Sequence, residues 1–261
     1  MSEFSSSISI CNGVLHAVVA DPRRGNSLSG PLMAEVVEAL GETNGDTSDV
    51  RAIVITGADG TFCNGGDVRA FAAADSPGGY VGDLATQFHT FIRALVHAPV
   101  PVIAAVHGWA AGAGMSIACA CDVIVGGPST AFLPAYPGIG LSPDGGMTWT
   151  LPRLIGFARA RDLLLTNSPL RGEDAYRAGL ITRFVDDTNI LSTATALATQ
   201  AAAQSRQSAT AIKNLLWSAQ FSTFDDQLDR EAQSIATCAA SIDGREGVRA
   251  FVQRREPNFT S

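Results

Sequence analysis

The sequence predicts a mixed α/β fold in which an α/β body of roughly two-thirds of the chain precedes a helical tail. Short β-branched runs recur along the first half, and segments with apolar residues at helical spacing separate them. After about residue 145 almost every periodic segment reads as helix.

Residues 14–20 (VLHAVVA), 51–56 (RAIVIT), 101–106 (PVIAAV) and 121–125 (CDVIV) are bounded by turn residues and predict strands. Residues 30–41 (GPLMAEVVEALG) and 83–97 predict the helices between them. AAADSPGGYVG (72–82) follows a short helix and carries Pro77, Gly78, Gly79 and Gly82, which predict a mobile connection. Further along, 157–166, 172–179, 188–204, 207–220 and 223–239 predict helices, and ITRFV (181–185) one more strand.

With 261 residues the chain can bury a substantial core, as one main domain with an appendage. Its net charge of −7 supplies no overall basic field, which argues against nucleic acid or an anionic membrane as partner. Five cysteines without a Cys-x-x-Cys pair predict reduced, mostly buried thiols, and MSEFSSSISI lacks the basic start and apolar core of a signal peptide. Together these predict a cytoplasmic protein. Residues 99–121 carry no Asp, Glu, Lys or Arg and have the length of a membrane span. Pro99, Pro101, His107, Gly108, Gly112 and Gly114 interrupt that run, so it predicts strand, turn and helix inside the protein.

Three glycine turns carry the chemistry. FCNGGD (62–67) joins a strand to a helix, and GWAAGAG (108–114) repeats the arrangement. Each leaves unpaired N–H groups at a helix start, and two such turns can aim two amides at one oxygen. Asp67, which ends the first turn, and Asp122, which follows the helix after the second, read as a helix cap and a turn partner. SPDGGMT (142–148) adds a carboxylate, Asp144, which Ile139, Leu141, Met147 and Trp149 would surround with apolar atoms; the alternative is a capped surface turn.

Other site classes fit poorly. GAGMSI (112–117) and GIGLSP (138–143) lack the third glycine of a dinucleotide fingerprint, and no Gly-Lys-Ser/Thr occurs. GMSIA (114–118) approximates a nucleophile elbow around Ser116, but His16, His89, His97 and His107 all precede it, against the order of a hydrolase triad. No two histidines have metal-ligand spacing, so no metal is expected. Trp109, Phe71, Tyr80, Phe88, His89 and Tyr136 are candidate pocket walls.

In order, RRGNSL, RAIVITGADGTFCNGGDVRAF, PVIAAVHGWAAGAGMSIACACDVIV, GIGLSPDGGMTWTLPRLIG, AYRAGLITRFV and REGVRAFVQRREPNF resemble the crotonase family of enoyl-CoA hydratases and isomerases over nearly the whole chain. The resemblance implies a spiral of β-β-α turns over residues 1–195 and a C-terminal helical region, 196–261, that builds homotrimers or hexamers. It implies an acyl-CoA thioester as substrate, with coenzyme A as part of it and no separate cofactor. Gly66 and Ala113 match the amides that hold the thioester oxygen, and Asp144 matches the carboxylate of isomerases. The implied substrate-binding set is Arg23, Arg24, Asp67, Arg69, Ser116, Tyr136, Phe251 and Arg254. Ser116 and Tyr136 stand where hydratases carry two glutamates, which favours double-bond isomerisation, in a pattern closest to ring-type isomerases of phenylacetate catabolism. Alternatives are a hydratase with unusual acid and base groups, a dehalogenase or thioesterase using Asp144 as nucleophile, and a non-catalytic acyl-CoA-binding paralogue.

Overall fold

The computed structural model describes residues 8–28, 30–42 and 49–259. β1 (Ile8–Cys11) and β2 (Val14–Val18) form an antiparallel hairpin whose central residues, Asn12 and Gly13, have φ of 50° and 75°. Positive φ at both positions makes the two-residue turn whose twist matches that of the strands. α1 (Gly30–Glu42) then carries the chain to β3 (Ala52–Thr56), parallel to β2, and α2 (Val68–Ala73) and α3 (Pro77–Val96) carry it to β4 (Val102–Val106), parallel to β3.

Only His107 and Gly108 separate β4 from β5 (Trp109–Ala111), so the chain passes straight into a second sheet and then into α4 (Ala113–Ala120). That is one β-β-α turn of the expected spiral. β6 (Val123–Gly126) and β7 (Ala131–Leu133) repeat the step between sheets. α5 (Met147–Ile155), α6 (Phe157–Thr166), β8 (Leu170–Arg171), α7 (Gly172–Arg177) and β9 (Arg183–Phe184) follow. Among the described residues the larger sheet runs β1-β2-β3-β4-β6-β9 and the smaller β5-β7-β8. α8 (Ile190–Ala202), α9 (Arg206–Ser218), α10 (Phe224–Ala240) and α11 (Ile242–Gln253) complete the chain.

Alternation along the strands divides the core. Ile53, Ile55, Val102, Ala104 and Val106 face the spiral interior with Phe62, Phe91 and Leu95, whereas Ala52, Val54, Ile103, Ala105 and Val125 face α8. Ala194 and Ala198 of α8 are fully buried there. Four residues apart, they share one helix face, and their small side chains let the helix lie close on the sheet.

The segment expected to be a mobile connection is partly helix, because α3 starts at Pro77 and includes Gly78, Gly79 and Gly82. Proline suits a first helical position, and Phe88, Phe91, Ile92 and Leu95 bury the far end of the helix, which offsets the glycine cost. Residues 99–121 are strand, strand and helix, and among the described residues no helix is long and apolar enough to cross a membrane.

Candidate active site

The first two glycine turns are zipped side by side. The Cys63 amide donates to the Trp109 carbonyl (3.0 Å), the Ala111 amide to the Cys63 carbonyl (2.8 Å), and the Leu28 amide to the Gly65 carbonyl (2.8 Å). Gly112, at φ 53° and ψ −122°, turns the chain from β5 into α4 in a conformation that side-chain-bearing residues avoid. Gly114 packs on the first turn so closely that a methyl group there would lie 2.3 Å from the Cys63 carbonyl oxygen. Asp67 caps α2, accepting from the amides of Arg69 and Ala70, as expected. Among the described residues, neither the Gly66 nor the Ala113 amide has a hydrogen-bond acceptor in the protein. Ala113 opens α4, whose positive end favours an oxygen bearing negative charge.

Asp144 approaches these amides from the third turn. Tyr136 Oη donates to Asp144 Oδ1 (2.5 Å), and Ser116 Oγ, on α4, donates to the Asp144 carbonyl (3.0 Å) and lies 3.4 Å from Tyr136 Oη. Burial, then the neighbouring Asp144 carboxylate, push the Tyr136 hydroxyl well above its ordinary pKa, so it stays protonated and donates. The next amide, of Gly145, donates to His89 Nε2 (3.3 Å). Tyr136 itself follows a tight turn: its amide donates to the Pro134 carbonyl (2.9 Å) across Ala135, which has φ 67° and ψ −33°. This three-residue turn with positive φ at a non-glycine residue is rare and strained. Asn167, ending α6, holds it by accepting from the Ala135 amide (2.9 Å).

Gly66, Ala113, Tyr136 and Asp144 line one cavity of about 360 Å³, walled chiefly by Leu28, Met33, Phe71, Leu84, Phe88 and Leu141. The remaining expectations divide. Ser116 is fully buried behind the wall, touching Asp144 rather than the space. Ile139 and Leu141 do flank Asp144 on the cavity, and Met147 is buried, but Trp149 turns away to pack against the tilted ring of Trp217 (centroids 5.1 Å apart) and to stack with Phe221 (6.1 Å). Phe71, Phe88 and Tyr136 are walls; Tyr80 packs on Phe71 without reaching the cavity, and Arg171 covers Trp109 elsewhere.

The basic residues lie outside the cavity wall. Arg23 pairs with Asp21 (3.0 Å), Arg24 with Asp67 (3.5 Å), and Arg69 is exposed. Phe251 is 85% exposed on α11, and Arg254 closes that helix in a left-handed conformation. Asp122 accepts from the Val102 amide (2.8 Å) and from Lys213 Nζ (2.7 Å), a structural role. No cluster of three or more His, Cys, Asp or Glu side chains suited to a metal ion occurs among the described residues. What sequence reasoning missed is the Asn167 clamp and the strained turn at Ala135; Pro134 and Pro137 were the only local signals.

A family model described as enoyl-CoA hydratase/isomerase matches residues 9–261. The chain is 37% identical over 252 residues to 1,2-epoxyphenylacetyl-CoA isomerase of Escherichia coli K12, covering 95% of each. It is 35% identical over 260 residues to a probable enoyl-CoA hydratase of Rhodobacter capsulatus, covering 100% of this chain and 99% of that one. Among solved structures, an enoyl-CoA hydratase from Polaromonas sp. JS666 superimposes with a TM-score of 0.91 at 31% identity, over 97% of this chain and 98% of the other.

Proposed function

The chain belongs to the enoyl-CoA hydratase/isomerase family, the crotonases, and is an enzyme of that family; on this premise we propose that it moves a double bond within the acyl chain of an enoyl-CoA. In this reading the thioester oxygen accepts from the Gly66 and Ala113 amides. Asp144 takes a proton from one carbon and returns it to another. The electron pair left by the first proton passes to the thioester oxygen as an enolate, which the two amides stabilise. One such donor is worth about 3 to 4 kcal/mol, and a placed proton carrier roughly a hundred- to ten-thousandfold.

The single observation that supports this reading is the shared cavity, which brings together one carboxyl and two amides that have no acceptor among the described residues. Ser116 and Tyr136 supply hydroxyls where two-acid water addition would need carboxylates, so isomerisation is favoured over hydration. Arg23, Arg24 and Arg69, with Phe251 and Arg254 from the tail or a neighbouring subunit, are assigned to the coenzyme. Phe251 (85% exposed), Phe224 (77%) and Ile235 (71%) on α10 and α11 support a role for residues 196–261 in building a homotrimer or hexamer. A cytoplasmic location fits five free thiols.

The test is incubation with 3-enoyl-CoA and 2-enoyl-CoA in deuterated water, read by product mass. Conversion with deuterium exchange in the native protein, and loss of both in Asp144→Asn with binding retained, are expected. Binding with no conversion or exchange in the native protein would instead indicate a silent paralogue, and an acyl- or aryl-aspartate trapped at Asp144 would indicate nucleophilic chemistry.

A further inference from the structure

We propose that Tyr136 is a positioning residue that fixes the Asp144 carboxyl by one oxygen and leaves the other as its sole proton-carrying atom, with Ser116 steadying the main chain behind it. The proposal rests on Asp144 carrying the proton, and concerns how one carboxyl serves two carbons.

Asp144 Oδ1 is held by Tyr136 Oη at 2.5 Å, and among the described residues Oδ2 has no partner. The residue is fixed at two further points. Ser116 Oγ holds its carbonyl (3.0 Å), and the following amide, of Gly145, is held by His89 Nε2 (3.3 Å). Gly145 is itself wedged, since a methyl group there would meet Phe88 at 2.3 Å and Ser116 Cβ at 2.8 Å. Backbone and one carboxyl oxygen are therefore set before substrate arrives. Tyr136 is in turn set by the strained turn at Ala135 and the Asn167 clamp.

This arrangement has a chemical consequence. An unpinned carboxyl can take a proton on one oxygen, rotate, and lose it to water before returning it. With Oδ1 occupied by the Tyr136 proton, the substrate proton goes to Oδ2: the C–H bond breaks, Oδ2–H forms, and the electron pair moves onto the thioester oxygen. In the return step Oδ2–H breaks and a new C–H bond forms at the second carbon. Tyr136 keeps its own proton throughout, as its raised pKa allows, and no other reactant is needed. The contribution of this bond to rate is placement of the reacting oxygen, and a misplacement of about 1 Å typically costs roughly a hundredfold.

The experiment compares native protein, Tyr136→Phe, Ser116→Ala and Asp144→Asn as full chains with 3-enoyl-CoA in deuterated water. Turnover and deuterium per product molecule are both measured. Tyr136→Phe keeps the ring; kcat is expected to fall about ten- to a hundredfold with KM within about twofold. Deuterium per turnover is expected to rise, because a freed carboxyl exchanges its proton before returning it. Ser116→Ala is expected to move both quantities the same way by less. Unchanged deuterium per turnover in Tyr136→Phe, or a loss expressed only in KM, overturns the proposal. If Asp144→Asn is inactive while Tyr136→Phe behaves as the native protein, only the positioning role fails; if Asp144→Asn retains conversion, the proton-carrier reading falls with it.

Discussion

Replacing Gly114 by alanine places a methyl group 2.3 Å from the Cys63 carbonyl oxygen, 2.8 Å from Cys63 Cβ and 3.0 Å from the Cys63 carbonyl carbon. An ordinary carbon–oxygen contact is about 3.3 to 3.6 Å, so one of the two turns must retreat by about 1 Å. Both are tied where they would have to give, because the Cys63 carbonyl accepts from Ala111 (2.8 Å) and the Cys63 amide donates to Trp109 (3.0 Å). Helix propensity alone would favour alanine within α4 by about 1 kcal/mol. Overpacking against fixed backbone costs about 1 to 3 kcal/mol and decides the sign. The same retreat separates the Gly66 and Ala113 amides, and a displacement of about 1 Å typically costs roughly a hundredfold in rate. Urea denaturation is therefore expected to show a lower midpoint, and turnover of an enoyl-CoA to fall about a hundredfold. A variant with native midpoint and native turnover would refute the close approach; one destabilised yet fully active would refute its catalytic consequence.

Gly82→Ala is the counterpart: Gly82 lies within α3 on the edge of the cavity, and among the described residues the added methyl group meets nothing within 4 Å beyond its own stretch of helix, so a gain of about 0.5 to 1 kcal/mol is expected in the same denaturation assay. At the C-terminal end, hydrogen bonds from Arg255 and then from the Asn258 amide hold the Glu246 carboxyl at about 2, below its ordinary 4.5. This contribution is whole above about pH 4.5 and is lost as pH falls through about 2, so the protection of the Asn258 amide, its exchange rate relative to that of a free amide at the same pH, should weaken across that window and stay constant above it. Burial pushes the Cys63 thiol up to about 11 and the Cys119 thiol to about 12, with Cys121 also raised. Mass spectrometry after brief alkylation of native protein should therefore find Cys11 modified, and Cys63, Cys119 and Cys121 modified only after unfolding.

Much of this architecture is legible in the sequence because its signals are local. The β-branched runs that become β2, β3, β4 and β6 announce a buried parallel sheet, and the glycine turns after β3 and β5 mark the places where amides emerge. Legibility stops where tertiary packing overrides local preference. α3 begins inside a Pro-Gly-Gly stretch because its later turns are buried, and α5 accommodates Pro152, so neither helix start was predicted. The two- and three-residue strands β5, β7 and β8 are too short for any period to register. In the candidate site, Asp144 and the two glycine turns stand out in the sequence itself, and the family resemblance singles out the Gly66 and Ala113 amides. The pinning of Asp144 was not, because Ser116, Tyr136 and His89 come to it from separate elements. The left-handed alanine before Tyr136 has no sequence signature of its own.

The helix α8 lies behind the sheet, with Ala194 and Ala198 against β-strand residues that face away from the cavity holding Asp144. The sheet thus separates two packing compartments that share strands but few side-chain neighbours. Energetic effects of reshaping the pocket walls and of altering the rear helix should accordingly sum without cross-terms, to within about 0.5 kcal/mol. Stabilising changes collected on the rear layer can then support destabilising changes made at the front, so the chain has a foundation on which new cavity shapes can be built separately.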